Sequence, residues 1–273
     1  MSAALAQFAI RPVTMNYWRV TYNHPPVNLA NRETVLELQS VMDRIESDND
    51  LRVVVFDSAN PEYYFARYDL AQAPETMVRT GRTGLPLLID LSTRLAAAPV
   101  VSIASIRGRV RGLGNEFILA CDLRFASQEA IFGQPEVPGG VLPGGGAVER
   151  LPLLVGRARA LEIILSGDDF NASAAERFGW INRSVPDAEL DAFVETLARR
   201  IASFDPVPVA EVKRLLNRHG TPSTVDLLET QEIFLKLLGS QHARARMLRA
   251  RERMAEVGAA EFEKRLGHYL GTL

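Results

Sequence analysis

One cysteine in 273 residues leaves no partner for an internal disulfide, so a chain of this size must hold itself together through its core. That residue, Cys121, sits in an apolar Leu-Ala-Cys context and reads as a small core side chain suited to a reducing compartment. No apolar run approaches the roughly 18–20 residues needed to span a bilayer. The opening MSAALAQFAIRPVT has neither the basic start nor the apolar core of a secretory leader. A cytoplasmic protein with no membrane partner is expected. Charge of one sign is also missing: 31 Lys and Arg against 33 Asp and Glu give a net charge of -2, which argues against a dedicated nucleic-acid binder. The four histidines, His24, His219, His242 and His268, form no HExxH pattern, so no metal is expected. There is no GK[ST] phosphate loop, no third glycine of a dinucleotide fingerprint, and no GxSxG nucleophile turn.

What is present is ordinary globular composition, 47% hydrophobic and 23% charged, enough for one large domain or a domain with an appendage. YWRVTYN, Tyr17 to Asn23, predicts a strand, and HPPVN after it a turn. Asn31 to Asp48 carries Val35, Leu38, Val41, Met42 and Ile45 at helical spacing, with Asn31 as N-cap. RVVVFD, Arg52 to Asp57, predicts a buried strand. Ala59 to Asp69 is a loop, and Gly84 to Ala97 a helix ended by Pro99. VVSIASI, Val100 to Ile106, is a second buried strand, and Gly112 to Cys121 opens a helix. Short strands follow at Asp122–Ala126 and Ala130–Phe132, then the loop EVPGGVLPGGG, Glu136 to Gly146. Helices are expected near 147–154, 156–165 and 172–179, a strand at Ile181–Val185, and helices from Asp187 on. The pattern is an α/β core, residues 1–187, with a helical C-terminal region, 188–273. The arginine-rich helix Ala243 to Arg253 reads as a solvated or subunit-facing surface.

Three turn segments could carry chemistry: YFARYDL at Tyr64–Leu70, GLGNE at Gly112–Glu116, and FGQPEVPGGVLPGGG at Phe132–Gly146. A strand-to-helix turn leaves backbone N–H groups without intrahelical acceptors, and two such turns side by side form an oxyanion hole. The glycines alone are equally compatible with close packing. Glu116 serves either as a first-turn acid favouring the helix dipole or as one of a carboxylate pair with Glu136 dividing acid and base roles.

From Pro99 to Pro186 these motifs, in order and at the right spacing, resemble the enoyl-CoA hydratase/isomerase (crotonase) family. The matching segments are PVVSIASIRG, GLGNE, ACDLRFAS, FGQPEVPGGVLPGGG, ERLPLLVG and GWINRSV. The likeness continues more loosely upstream through HPPVN and ARYDL. The resemblance implies a spiral of ββα units with a C-terminal region that joins chains into a homotrimer or hexamer. It implies an acyl-CoA thioester as substrate, coenzyme A being part of that substrate and no separate cofactor being used. By position, Ala66 and Leu113 supply the two oxyanion N–H donors, and Glu116 and Glu136 are the catalytic carboxylates that hold a water. Arg67, Tyr68, Asp69, Gly112 and Gly144 are expected to contact substrate.

The sequence departs from the family in four places, one of them EFEKRLGHYL, Glu261 to Leu270, which is only weakly similar to the family's AFxEKRxPxF segment. ARYDL puts Arg67 and Tyr68 where a glycine and a small residue are usual. Leu113 stands in place of the donor glycine and is expected to narrow the acyl pocket. Arg107, Arg109 and Arg111 alternate, so in extended chain they share a face and call for acids such as Asp69, a neighbouring subunit, or an anionic ligand. The resemblance implies hydration of a 2-enoyl thioester. The alternatives are an isomerase or hydrolase on the same scaffold, or a weakly active relative that binds RNA through the arginine-rich helix.

Overall fold

The computed structural model describes residues 5–70 and 78–273; Met1–Ala4, part of the stretch read for a leader, lie outside it. Nine strands appear among the described residues: β1 Phe8–Thr14, β2 Tyr17–Tyr22, β3 Val53–Ser58, β4 Val101–Ile106, β5 Arg109–Arg111, β6 Leu123–Ser127, β7 Ile131–Gly133, β8 Asp169–Asn171 and β9 Arg183–Val185. Helices interleave: α1 Arg32–Ser47, α2 Leu87–Ala97, α3 Leu113–Ala120, α4 Ala147–Val155, α5 Arg157–Ser166 and α6 Ala172–Phe178. After β9 come helices alone: α7 Leu190–Ala202, α8 Pro206–Gly220, α9 Thr224–Leu238, α10 Gln241–Val257, α11 Ala259–Lys264 and α12 Leu266–Gly271. None is long and apolar enough to cross a membrane. The α/β unit followed by a helical region is the expected arrangement. Strands β1, β5 and β8 were not expected, and α2 begins at Leu87 rather than Gly84, with Pro86 at its N-cap.

The main sheet has the order β1-β2-β3-β4-β6-β9. Only β1 pairs antiparallel; the others run parallel. Parallel strands are covered on both faces, and alternate side chains go to opposite sides. Val54 and Phe56 therefore enter the larger core under α1, α2 and α3, while Val53 and Val55 meet Leu190, Val194 and Ala198 of α7. Helix α1 starts where its capping predicts. Asn31 Oδ1 accepts the Thr34 N–H at 2.9 Å, and Thr34 Oγ1 accepts the Asn31 N–H at 3.0 Å. A second small sheet, β5-β7-β8, sets the strand after β4 parallel to β7 and brings the turns beyond them together.

The three alternating arginines hold the fold rather than a ligand. Arg107 meets Asp187 and Asp191 at 3.0 and 3.2 Å. Arg109 lies over the Tyr63 ring and donates to Lys264 O. Arg111, 2% exposed, forms a forked pair with Asp169 at 2.7 and 2.6 Å and donates to Glu263 O at 2.6 Å and Lys264 O at 3.2 Å. The guanidinium plane suits this task because its fixed fork satisfies a carboxylate and two carbonyls at once. It pins the end of α11 against β5 and β8. Truncating it strands a largely buried acid and two carbonyls. Arg111→Met is expected to cost about 3 kcal/mol in urea unfolding. Amide exchange should quicken first over Phe262–Leu270 while the main sheet stays protected.

Candidate active site

Gly112 joins β5 to α3 at φ 51° and ψ −123°, a backbone region essentially closed to residues with a Cβ. A Cβ there would also stand 2.7 Å from Glu136 Oε1. The backbone angle requires glycine, and the Glu136 carboxylate occupies the space a side chain would take. Leu113, the first residue of α3, has no intrahelical acceptor for its N–H and lines the adjoining cavity. Glu136 arrives on the strand partner: β5 and β7 pair in parallel, and the chain beyond Gly133 runs past Gly112, whose N–H donates to Gly133 O.

Glu116, one helical turn along α3, is 5% exposed. Its Oε1 accepts the Gly145 N–H at 2.7 Å and the Ala147 N–H at 3.3 Å, at the positive end of α4. A Cβ on Gly145 would lie 2.6 Å from Glu116 Oε2, so the loop closes directly against the acid. Both carboxylates line one cavity of about 190 Å³. Burial pushes the Glu116 pKa above the ordinary carboxylate range, and the charge of Glu136 pushes it further, against the two N–H donors. Burial likewise raises Glu136, opposed by the Gln134 amide and the Arg67 charge. The pair favours holding a proton between them.

The structure places Arg67, Tyr68, Asp69, Leu113, Glu116, Glu136 and Gly144 around that cavity. Ala66 is not brought there. Its N–H donates to Asn28 O at 3.0 Å. Next along the chain, Ala30 N–H donates to Arg67 O and Asp69 N–H to Ala30 O, a parallel bridge centred on Tyr68. Alternation in extended chain then turns the Tyr68 N–H to the opposite side. Arg67 is ion-paired with Glu263 of α11, itself 3% exposed. Gly144 faces the Phe234 ring of α9, and it is Gly145 that touches Glu116.

The sequence reading missed the far wall. Phe234, Met247, Ala250, Met254, Phe262 and Leu266 close the cavity from α9, α10, α11 and α12 of the same chain. The arginine-rich α10 is thus a pocket wall. Its signal was a stripe at i, i+4, i+7 and i+11: Ala243, Met247, Ala250 and Met254. Arg246 ties that wall to the acid-bearing loop, donating to Pro138 O and, at 3.1 Å, to Leu270 O.

The pattern of the family described as enoyl-CoA hydratase/isomerase matches residues 15–265. The chain belongs to that family and has the α/β crotonase fold. It is 34% identical over 200 residues to a short-chain-enoyl-CoA hydratase of Clostridium acetobutylicum, covering 73% of this chain and 77% of the relative. A crystal structure from Streptomyces avermitilis, provisionally described as an enoyl-CoA hydratase, is 37% identical. It superposes with a TM-score of 0.93 over 100% of this chain and 99% of that one. An enoyl-CoA hydratase/isomerase from Xanthobacter autotrophicus Py2 is 30% identical, with a TM-score of 0.78 over 91% of this chain and 94% of that one.

The raised carboxyl pKa values have a stability consequence. A carboxyl that binds its proton more tightly folded than unfolded lends stability at low pH, and loses it as pH rises from the unfolded pKa through the folded one. Glu116→Gln keeps an acceptor for the Gly145 N–H and removes the charge. It is expected to stabilise the protein by about 1–3 kcal/mol at pH 8. The gain should fade toward pH 4, as thermal melts across that range would show. Glu136→Gln should show a smaller gain, because its carboxyl is raised less, to about 7 against about 8 for Glu116.

Proposed function

We propose that this chain adds water across the 2,3 double bond of an acyl-CoA thioester. The observation that carries the reading is the placement of Glu116 and Glu136 on one cavity, with the Gly112–Leu113 turn beside them. The thioester carbonyl is received by two backbone N–H groups, those of Leu113 and Tyr68, Tyr68 taking the place expected for Ala66. Glu116 holds the water and takes its proton as the oxygen bonds to the β-carbon. The π electrons move into the thioester as an enolate, which the two donors stabilise. Glu136 gives its proton to the α-carbon, the enolate collapses, and the product is a 3-hydroxyacyl thioester. One proton then passes from Glu116 to Glu136 to restore the pair. The coenzyme enters as part of the substrate.

The acyl group this cavity suits is apolar. Leu88, Leu113, Val141, Phe234, Met247 and Leu266 face it. Arg67 is committed to Glu263 and Arg246 to backbone carbonyls. The chain is further proposed to work in the cytoplasm as a homotrimer or hexamer. Exposed Phe204, Val207, Val212 and Leu216 lie in and just before α8, an apolar run that monomers seldom leave in water.

Incubation with 2-enoyl-CoA thioesters of graded length, read by mass, tests the reaction. Wild type should gain one water per thioester. Glu136→Gln and Glu116→Gln should each lose about 10²–10⁴ in kcat. The pH profile should be a bell whose acid limb lies above the ordinary carboxylate range. Shifted double bonds or free acid in the same traces, without a 3-hydroxyacyl product, would overturn the reading in favour of an isomerase or hydrolase. Light scattering should give three or six times the 30.1 kDa chain, and Leu216→Asp should break that assembly. A wild type that runs at 30.1 kDa would refute the oligomer.

A further inference from the structure

Glu136 is reached by three hydrogen bonds that begin well behind the cavity. The Trp180 indole Nε1–H donates to Asn115 Oδ1 at 2.9 Å. Asn115 Nδ2 donates to Gln134 Oε1 at 2.5 Å, and Gln134 Nε2 donates to Glu136 Oε2 at 2.8 Å. Trp180, Asn115 and Gln134 are each 0% exposed. Asn115 is the residue before Glu116 on α3, and Gln134 lies two residues before Glu136, so the chain of bonds ties both acid-bearing segments to one indole.

A carboxamide can usually be turned end for end, but these two cannot. An indole nitrogen only donates. Asn115 must therefore present its oxygen to Trp180, which leaves its nitrogen for Gln134. Gln134 must accept with its oxygen, which leaves its nitrogen for Glu136. Reversing either amide sets donor against donor or acceptor against acceptor away from bulk solvent, and burial makes that costly. A carboxylate at the end of such a chain always meets a donor on the same oxygen.

We propose that Trp180, acting through Asn115 and Gln134, is a positioning residue that reserves Glu136 Oε2 as an acceptor and so assigns the catalytic proton to Oε1. This rests on the hydratase reading. Oε1 is the oxygen on the Gly112 side, 2.7 Å from where a Cβ would stand there, next to the turn that offers the Leu113 N–H. A proton on Oε1 faces the place where the enolate forms. A proton on Oε2 would oppose the Gln134 N–H. The Gln134 donor also favours the ionised form of Glu136, so its loss should raise that pKa.

Trp180→Phe removes the donor at the head of the chain and keeps a ring between Phe132 and Phe170. The expected result is a kcat lower by about tenfold, a KM within about twofold, and an alkaline limb displaced to higher pH. Phe170→Leu trims packing against the same indole and touches none of the three bonds; it should leave the limb in place. A second measurement is independent of turnover. The melting temperature of Trp180→Phe against pH should diverge from wild type, and that divergence should vanish in a Glu136→Gln background. The proposal falls if folded Trp180→Phe keeps its kcat and alkaline limb. It falls equally if Phe170→Leu shifts the limb as much, or if the pH-dependent melting difference survives without Glu136. If wild type hydrates no thioester, the hydratase reading fails, and the melting series still decides whether Trp180 governs Glu136.

Discussion

Glu116 and Glu136 repel one another across a cavity with little water to screen them, and the surrounding structure works to keep both there. Two backbone N–H groups at the start of α4 face Glu116, and an amide and a guanidinium oppose the burial of Glu136. Glycine at 112 and at 145 lets the chain come close enough to deliver those contacts. A hydrophobic pair at these positions would fold more comfortably. Holding acids in so buried a place is what raises both above the range of ordinary carboxylates.

Much of this was legible in the sequence. The strand–turn–acid segments GLGNE and FGQPE announced both carboxylates, and the parallel strands showed as apolar runs bounded by turns. Asn31 capped its helix as its spacing implied. Other features were hidden because they depend on partners far along the chain. Three-residue β5 and β8 are too short to show a period. Which of Ala66 and Tyr68 turns its N–H toward the cavity is decided by pairing with Asn28 and Ala30, which no local pattern reveals. Arg107, Arg109 and Arg111 looked like a charged face seeking a ligand. Their partners lie 80, 155 and 58 residues away. In α10 the density of arginine masked a narrow apolar stripe that the cavity requires.

The C-terminal helices are held by chemistry different from that of the core. Around Phe262, Leu266, Tyr269 and Leu270 there is a small apolar cluster of its own. Its attachment to the α/β unit includes three arginines: Arg67 to Glu263, Arg111 to the backbone of Glu263 and Lys264, and Arg246 of α10, which joins Leu270 to Pro138. Directional contacts of this kind set the wall of the cavity in one position, whereas apolar packing alone tolerates sliding.

Arg111 meets a carbonyl 152 residues further on, and that distance bears on how the molecule is made. During synthesis the sheet and both acids leave the ribosome long before α11 and α12 exist. Until then Arg111 can meet Asp169 but neither of the carbonyls it finally holds. The segment that carries Phe262 and Leu266 then closes one wall of the cavity onto acids already in place. The far wall of the cavity is therefore the part that must be fitted to an architecture made before it.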